Sequence, residues 1–385
     1  MTVYLSLGSN LGDRLANLQE ALNLLDDGGC RPVRVSPVYE TAPLYYLAQP
    51  AFFNLAAACE TDLSPEELLA LAGRVESALK RRRLFRNGPR TVDVDILFCG
   101  GRVVDLPQLA VPHPRLAERE FVLAPLADIA PSLRHPVTGR TVKAMLAALP
   151  KGGARRLPSS YDEAVEWLRS LPPPAAGEHY SLRRIRAVLT RLGEPQRRMG
   201  AVLHVAGSTG KTSAACMAAA ALTACGHRTG LYTSPHITGP RERIKLDGRE
   251  ISGRDFLACF LRVESAGAGE LSFFETLTAM AFLYFSLKGT RFAVVEAGLG
   301  GRLDATNAAD GDVAVITSVS LEHASLIGPG IKEIAAHKAG IIKWGAAVLT
   351  GALPKEAAAA VRRRAASACA ARHPAPPPLP PEALA

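Results

Sequence analysis

Three short runs of the chain, Val202 to Ala206, Phe292 to Glu296 and Val313 to Thr317, are apolar without alternation and lie between segments of helical period. A strand that is apolar on both faces must be covered on both, and a parallel sheet flanked by helices does this. The later part of the chain therefore reads as an α/β unit. The earlier part differs. Val3 to Leu7 ends in the turn residues Gly8, Ser9 and Asn10, Asp13 to Leu25 has helical period, and strands are expected at Val33 to Glu40, Phe53 to Glu60 and Thr91 to Phe98. Ser64, Pro65 and Glu67 form a helix start, the serine as N-cap and the glutamate placed to close a capping box. Irregular alternation of these elements predicts an α+β sandwich with a largely antiparallel sheet.

A length of 385 residues gives two or three domains. Leu149 to Pro158, rich in Pro, Gly and Arg, reads as an exposed linker, and from His373 the proline-dense HPAPPPLPPEALA reads as a tail unable to hold helix or sheet. The expected boundaries are 1–148, a linker at 149–158, a second domain at 159–371 and a tail at 372–385. The longest apolar candidate, Ala214 to Gly226, is too short to span a bilayer, and the N-terminus lacks a basic, cleavable leader, so the expected compartment is the cytoplasm. Seven cysteines without a CxxC pair read as reduced small hydrophobes. The net charge of +9 points to anionic partners.

In the first part, Asp93 and Asp95 are two apart on a strand, so both carboxylates face one side. Two anions that close need a cation, which suits Mg²⁺; a solvated sheet edge is the alternative. The dense cations of Lys80 to Arg90 run directly into this strand. Alone they would read as a solvated helix end or a nucleic-acid patch. Beside the aspartates they favour polyphosphate with metal, because guanidinium groups clamp phosphate oxygens in pairs. No aromatic RNA-binding motif accompanies them, so nucleic acid is not expected as a partner.

In the second part, GSTGKTS at Gly207, Ser208, Thr209, Gly210, Lys211, Thr212 and Ser213 links a strand to a helix start, an arrangement whose backbone N–H groups and lysine cradle phosphates. Val205 stands where the longer phosphate-loop pattern has its first glycine, so the fit is to the shorter GxxGK[ST] form. Glu296 ends a buried strand, where α/β proteins place ligand groups, and runs into AGLGGRLDATN.

With GSN near the start, TAPL, QPAFFN, RNGPRTVDVDILFCG and VPHPRLAEREFVLAPL in order, residues 1 to about 147 resemble the 6-hydroxymethyl-7,8-dihydropterin pyrophosphokinases. That resemblance implies a ferredoxin-like α+β fold, ATP as co-substrate and two Mg²⁺ on Asp93 and Asp95. It implies Arg81, Arg83, Arg90, His113 and Arg119 on the phosphates. Phe52 and Phe121 would stack on the pterin, and Thr41, Pro43, Leu44 and Asn54 would read its polar edge. Without that context, core packing is the plain reading of the two phenylalanines and a turn that of His113. Asn87 stands where the family usually has an aromatic residue and Lys80 where it has a glycine.

Residues from about Ser159 to Ala371 resemble the ATP-binding domain of folylpolyglutamate synthase/dihydrofolate synthase, a relative of the Mur ligases, through GSTGKTS, EAGLGGRLDATN, YTSPH, ERIKLDG, FFETLTAMAF and HKAGII. The implied fold is a P-loop α/β ATPase domain with a mainly parallel sheet. The implied roles put Lys211 on the β and γ phosphates and Thr212 or Ser213 with Glu296 on one Mg²⁺. His323 would take a second, and Lys338 would be the lysine that the family carbamylates into a metal ligand. Ser234, Pro235, His236, Phe274, Glu275 and Thr278 would contact the pteroate substrate or the ATP-site metal. A capped loop histidine and a solvated helix lysine are the plain readings of His323 and Lys338. The chain reads Glu322-His323-Ala324 where the family usually has Asp-His-Thr. Few residues follow Lys338, so the amino-acid-binding domain of the Mur ligases is expected to be missing and glutamate ligation incomplete. The alternative is a pyrophosphokinase carrying a nucleotide-binding remnant.

Overall fold

The computed structural model describes residues 1–44, 46–81, 85, 88–150, 152–171, 181–267, 269, 271–322 and 328–374. Arg83 and His323 lie outside the described residues. The chain divides into two compact units, Met1–Ser159 and Ser160–Ala385.

The first unit contains β1 (Thr2–Ser9), β2 (Cys30–Val35), β3 (Tyr39–Thr41), β4 (Phe52–Thr61), β5 (Asp93–Cys99), β6 (Val104–Leu106), β7 (Leu109–Val111) and β8 (Ala154–Arg156). Six of these form an antiparallel sheet in the order β5-β1-β4-β3-β8, with β2 also on β4. β6 and β7 form a separate ribbon. The expected strand over 33–40 is two strands broken at Pro37, which has no N–H to donate to a ladder.

The helix Arg14–Asp27 is capped by Asp13, and Pro65–Ala78 carries the full Ser64/Glu67 capping box. Such a cap contributes about 1 kcal/mol. Leu18, Leu22 and Leu25 of the first helix and Leu68, Leu71 and Val75 of the second recur at helical spacing and are buried. Ala56, Ala58, Phe98, Val122, Leu123 and Leu126 pack the helix Glu120–Ile129 against the sheet.

Two sequence expectations are corrected at the chain's proline-rich segments. The linker expected at 149–158 contains β8, which pairs with β3, and Leu157 behind it is buried and donates its N–H to Val38 O at 2.8 Å. The tail expected from 372 begins inside a strand, β16 (Ala371–Pro374), parallel to β15 (Ala347–Thr350). Pro374 is tolerated there because β16 is the outermost strand, with only one neighbour to satisfy.

The second unit is built on an eight-stranded sheet in the order β12-β11-β10-β13-β9-β14-β15-β16. β9 (Ala201–Ala206), β10 (Thr229–Tyr232), β13 (Phe292–Glu296), β14 (Val313–Ile316), β15 and β16 pair in parallel, while β11 (Ile244–Leu246) and β12 (Arg249–Glu250) close one edge antiparallel. β9 lies between β13 and β14, so the chain crosses from one side of β9 to the other at this point. In an open α/β sheet the crevice at the carboxyl ends of such strands is where ligands bind.

Candidate functional site

Among the described residues, each unit shows a cavity built around residues the sequence singles out. In the first, a cavity of about 340 Å³ is lined by Thr41, Pro43, Leu44, Phe52, Asn54, Arg81, Arg90, Asp93, Asp95, His113, Arg119 and Phe121. Strand period makes this possible: Val94 is buried between the half-buried Asp93 and Asp95, and both carboxylates face the cavity. Thr41 stands opposite Phe52 across β3 and β4, and Asn54 Nδ2 donates to Thr41 Oγ1 at 2.7 Å. Gly8 on β1 allows that approach, since a Cβ there would lie 2.9 Å from Asn54 Oδ1.

The cations already hold the carboxylates. Arg81 Nη1 meets Asp93 Oδ1 at 2.6 Å and also pairs with Glu76; Arg90 Nε lies 3.3 Å from Asp93 Oδ2, and Arg119 Nη1 3.6 Å from Asp95 Oδ2. Even so, burial first and the neighbouring Asp93 second push the Asp95 carboxyl up to about 6, against the pull of Arg119, Arg90 and Arg81. Two adjacent carboxylates on one strand face supply hard oxygen ligands, a donor set that fits Mg²⁺. His113 Nδ1 accepts the Arg115 N–H at 3.2 Å, which assigns the proton of the neutral ring to Nε2. Burial, then Arg119 and Arg115, lower its pKa to about 4, so the ring is neutral near pH 7.

Sequence reasoning missed Glu76, Gln49, Phe85 and Arg115. Glu76 Oε1 accepts the Val94 N–H at 3.1 Å and holds Arg81, fixing β5 to the helix Pro65–Ala78. The others line the cavity. Asn10, quoted only as part of a motif, bonds the Arg90 N–H, Gln49 and Pro50 O and so ties the two loops at the cavity rim together.

In the second unit, β9 leads through residues 207–210 into the helix Lys211–Ala224, with Gly210 at φ 75°, a left-handed conformation that a glycine adopts without strain. The loop is laced to the segment after β14: Ser208 N donates to Ser318 O at 3.0 Å, Thr209 N to Ser318 Oγ at 2.9 Å, Thr317 Oγ1 to Thr209 O at 2.7 Å and Ser320 N to Ser208 Oγ at 2.9 Å. Lys211 Nζ rests on Ser208 O at 3.2 Å. Glu296, at the end of β13, accepts from Thr212 Oγ1 at 2.8 Å and from Ser234 N at 3.1 Å, and burial raises its pKa. A hydroxyl and a carboxylate beside a phosphate loop form an oxygen-donor set that fits Mg²⁺. Ser213 is exposed one position further along the helix.

Lys338 is not the solvated lysine of the plain reading. It is 1% exposed, and its Nζ donates to Gly207 O and Glu322 Oε1, both at 2.8 Å. Burial lowers its pKa.

A cavity of about 380 Å³ adjoins this loop, lined by Lys211, Ser234, Pro235, Phe274 and Glu275 and, unforeseen from the sequence, by Arg184, Arg243 and Asp304. Arg184 pairs with Glu275 at 2.9 Å. His236 takes the Arg243 Nε–H at 2.8 Å and is not among the lining residues. Thr278 is fully buried one turn behind Phe274, where its hydroxyl donates to Phe274 O at 2.8 Å and meets Tyr232 Oη at 3.1 Å; it does not line the cavity either.

The family model for 7,8-dihydro-6-hydroxymethylpterin-pyrophosphokinase matches residues 4–131. The 2-amino-4-hydroxy-6-hydroxymethyldihydropteridine pyrophosphokinase of Pseudomonas aeruginosa is 45% identical over 159 residues, 41% of this chain and 98% of that protein. The chain belongs to the hydroxymethyldihydropterin pyrophosphokinase family. To this pyrophosphokinase part the chain adds a Mur ligase middle domain, matched over residues 205–353. There it is 46% identical over 176 residues to the dihydrofolate synthase/folylpolyglutamate synthase of Mycobacterium tuberculosis, covering 42% of this chain and 36% of that protein. The apo form of the L. casei folylpolyglutamate synthase superposes with a TM-score of 0.53 and 38% identity, over 56% of this chain and 53% of that one. The chain thus spans about a third to a half of these synthases, and 23% of the folic acid synthesis protein of Dictyostelium discoideum that it matches.

Proposed function

We propose that the first cavity transfers the pyrophosphoryl group of ATP to 6-hydroxymethyl-7,8-dihydropterin. The observation that carries this is the meeting, in one cavity, of the Asp93 and Asp95 carboxylates, the three arginines Arg81, Arg90 and Arg119, His113, Phe52 and Phe121. The strand order β5-β1-β4-β2, with helices between β1 and β2 and between β4 and β5, supports a ferredoxin-like unit.

The pterin lies between the two phenyl rings, its edge read by Asn54 and by the backbone around Thr41 to Leu44. Asp93 and Asp95 would hold two Mg²⁺, which would supply charge neutralisation for the polyphosphate. With a cation held on Asp93, Arg81 and Arg90 would be available to the phosphates, beside Arg83, Arg119 and the Nε2–H of His113. The substrate hydroxyl oxygen bonds to the β phosphorus and the bridging oxygen to the α phosphorus leaves with AMP; the hydroxyl proton passes to solvent. The protein's part is alignment and charge stabilisation. The test supplies ATP, Mg²⁺ and the hydroxymethyl pterin to the full chain. AMP formed in step with pyrophosphorylated pterin is expected, and ADP as the nucleotide product overturns the reading.

For the second unit we infer an ATP site of the dihydrofolate/folylpolyglutamate synthase type. Lys211 and residues 207–210 receive the phosphates, Thr212 or Ser213 with Glu296 holds one Mg²⁺, and His323 with a carbamylated Lys338 holds a second. A buried amine with a lowered pKa is the form that reacts with CO₂, which supports that modification. In the reaction of this class a substrate carboxylate attacks the γ phosphorus, ADP leaves, and the amine of glutamate displaces phosphate to form the amide. The second cavity takes the pteroate, against Phe274, Ser234, Pro235 and Glu275. Equilibrium binding of MgATP by the chain with its first site disabled, compared with the same chain carrying Lys211→Ala, tests the ATP site. Binding unchanged by the substitution sinks it.

A further inference from the structure

Two segments from different parts of the first unit wall the first cavity. One is the start of the helix Glu120–Ile129, with Arg119 just before it and Phe121 just inside it; the other is the end of β3 with the loop that follows, carrying Thr41, Pro43 and Leu44 beside Phe52. Between the two lining residues Arg119 and Phe121 stands Glu120, which is absent from the cavity lining. Its carboxylate turns elsewhere: Oε2 accepts the N–H of Gly153 at 2.7 Å and Oε1 that of Gly152 at 3.3 Å.

Those two glycines lead directly into β8. Ala154, the next residue, is the register partner of Thr41, and the ladder continues through Arg155 opposite Glu40 and Arg156 opposite Tyr39. The Glu40 carboxylate pairs with Arg155, and Leu157 is buried behind the strand. Glu120 therefore grips β8 at the end of the strand that borders Thr41. Through that strand it connects the helix wall to the β3 wall.

We propose that Glu120 is a positioning residue for pterin, bracing the two walls at a fixed separation through residues 152–156. This rests on the reading of the first cavity as the pterin site. The physical reason is the steepness of dispersion: a ring held between two faces loses a quarter to a half of its contact energy when a gap opens by roughly 0.5–1 Å. A carboxylate taking two backbone N–H groups is a charge-assisted contact, stronger than a neutral pair even at an exposed position. Gly153 is part of the device, because a Cβ there would sit 2.6 Å from Glu120 Oε2 and push the carboxylate away.

The experiment uses the full chain with Glu120→Ala, Glu120→Gln, Gly153→Ala and the Glu120→Ala/Gly153→Ala double variant. AMP formation is measured against pterin and, separately, against ATP. Glu120→Ala and Gly153→Ala should each raise the KM for pterin about five-fold, the effect of losing one charged hydrogen bond of modest net strength. The KM for ATP, the rate at saturation and the Tm should stay near wild type. The double variant should be no worse than Glu120→Ala alone, because both changes remove one contact. Glu120→Gln should be partly rescued through its remaining carbonyl oxygen. A merely structural role would lower Tm without selecting pterin over ATP, and effects that add in the double variant would overturn the brace. Should the wild-type chain form no AMP, the reading of the cavity falls by itself. The brace is then judged by amide hydrogen exchange over residues 36–44, which both single variants must accelerate if it exists.

Discussion

Thr212 Oγ1 donates to Glu296 Oε1 at 2.8 Å, joining the first turn of the helix after the phosphate loop to the carboxyl end of the neighbouring parallel strand. The same carboxylate takes the Ser234 N–H, so three segments far apart in sequence converge on one buried acid. Glu296→Gln keeps the shape and one acceptor but removes the charge. It should weaken nucleotide binding in the presence of Mg²⁺ at least ten-fold, the scale of losing a charged metal ligand, and change metal-free binding little. Calorimetry with and without chelator checks this; equal losses in both conditions would show the residue to be structural only.

Asp95→Asn should abolish pyrophosphoryl transfer while leaving the metal-free protein at least as stable as wild type near pH 7. The sign follows from the raised pKa. Folding favours the protonated acid, so ionisation between the ordinary carboxylate value and about 6 costs stability, and that cost stands in full above pH 6. Thermal melts of both proteins in chelator, followed by the AMP assay, decide it. A variant that melts well below wild type argues that Asp95 holds the fold.

His204 gives a prediction of the opposite sign. It is fully buried on β9, bonds Thr306 Oγ1 at 2.9 Å through Nε2, and leaves Nδ1 without a partner. Burial lowers its pKa to about 3, so the unfolded chain takes up a proton near pH 6.5 that the folded one refuses. This group adds no loss above pH 6.5. Below it, stability falls by up to about 1.4 kcal/mol per pH unit until the folded value is reached. Denaturant titrations from pH 7.5 to 4.5 should show that slope in wild type and a shallower one in His204→Leu. Parallel curves would remove His204 from the acid response.

Phe121→Ala should raise the KM for pterin about ten-fold or more, the scale of a lost stacking face, and leave the KM for ATP within two-fold. Equal increases for both substrates would place the ring elsewhere than on the pterin.

What could be read from the sequence was what local chemistry dictates. The Ser64/Glu67 cap, the shared face of Asp93 and Asp95 and the parallel strands around Lys211 all follow from spacings of a few residues. What could not be read depends on distant partners. β8 looked like a linker because Pro, Gly and Arg dominate it, and only pairing with β3, more than a hundred residues earlier, makes it a strand. Val33 to Glu40 looked continuous because apolar residues persist across Pro37. Lys338 on its residue type alone reads as a solvated helix lysine, and only the fold carries it under Gly207. Arg243 sits inside the ERIKLDG run and Arg184 in the helix Arg183–Arg191, yet only the fold brings them to the second cavity, while Thr278 turns its hydroxyl to Phe274 O in its own helix.

The lacing of residues 207–210 to the segment after β14 has a thermodynamic consequence. In many phosphate-binding loops part of the binding energy is consumed in ordering the loop around its guest. Here the backbone groups of Ser208 and Thr209 are engaged by Ser318 and Thr317 as part of the fold itself, so the conformational entropy of the loop is surrendered when the chain folds. Nucleotide affinity then becomes a measure of how intact those side-chain ties are. Loosening Ser318 or Thr317, neither of which belongs to the phosphate motif, reaches the phosphates through order alone.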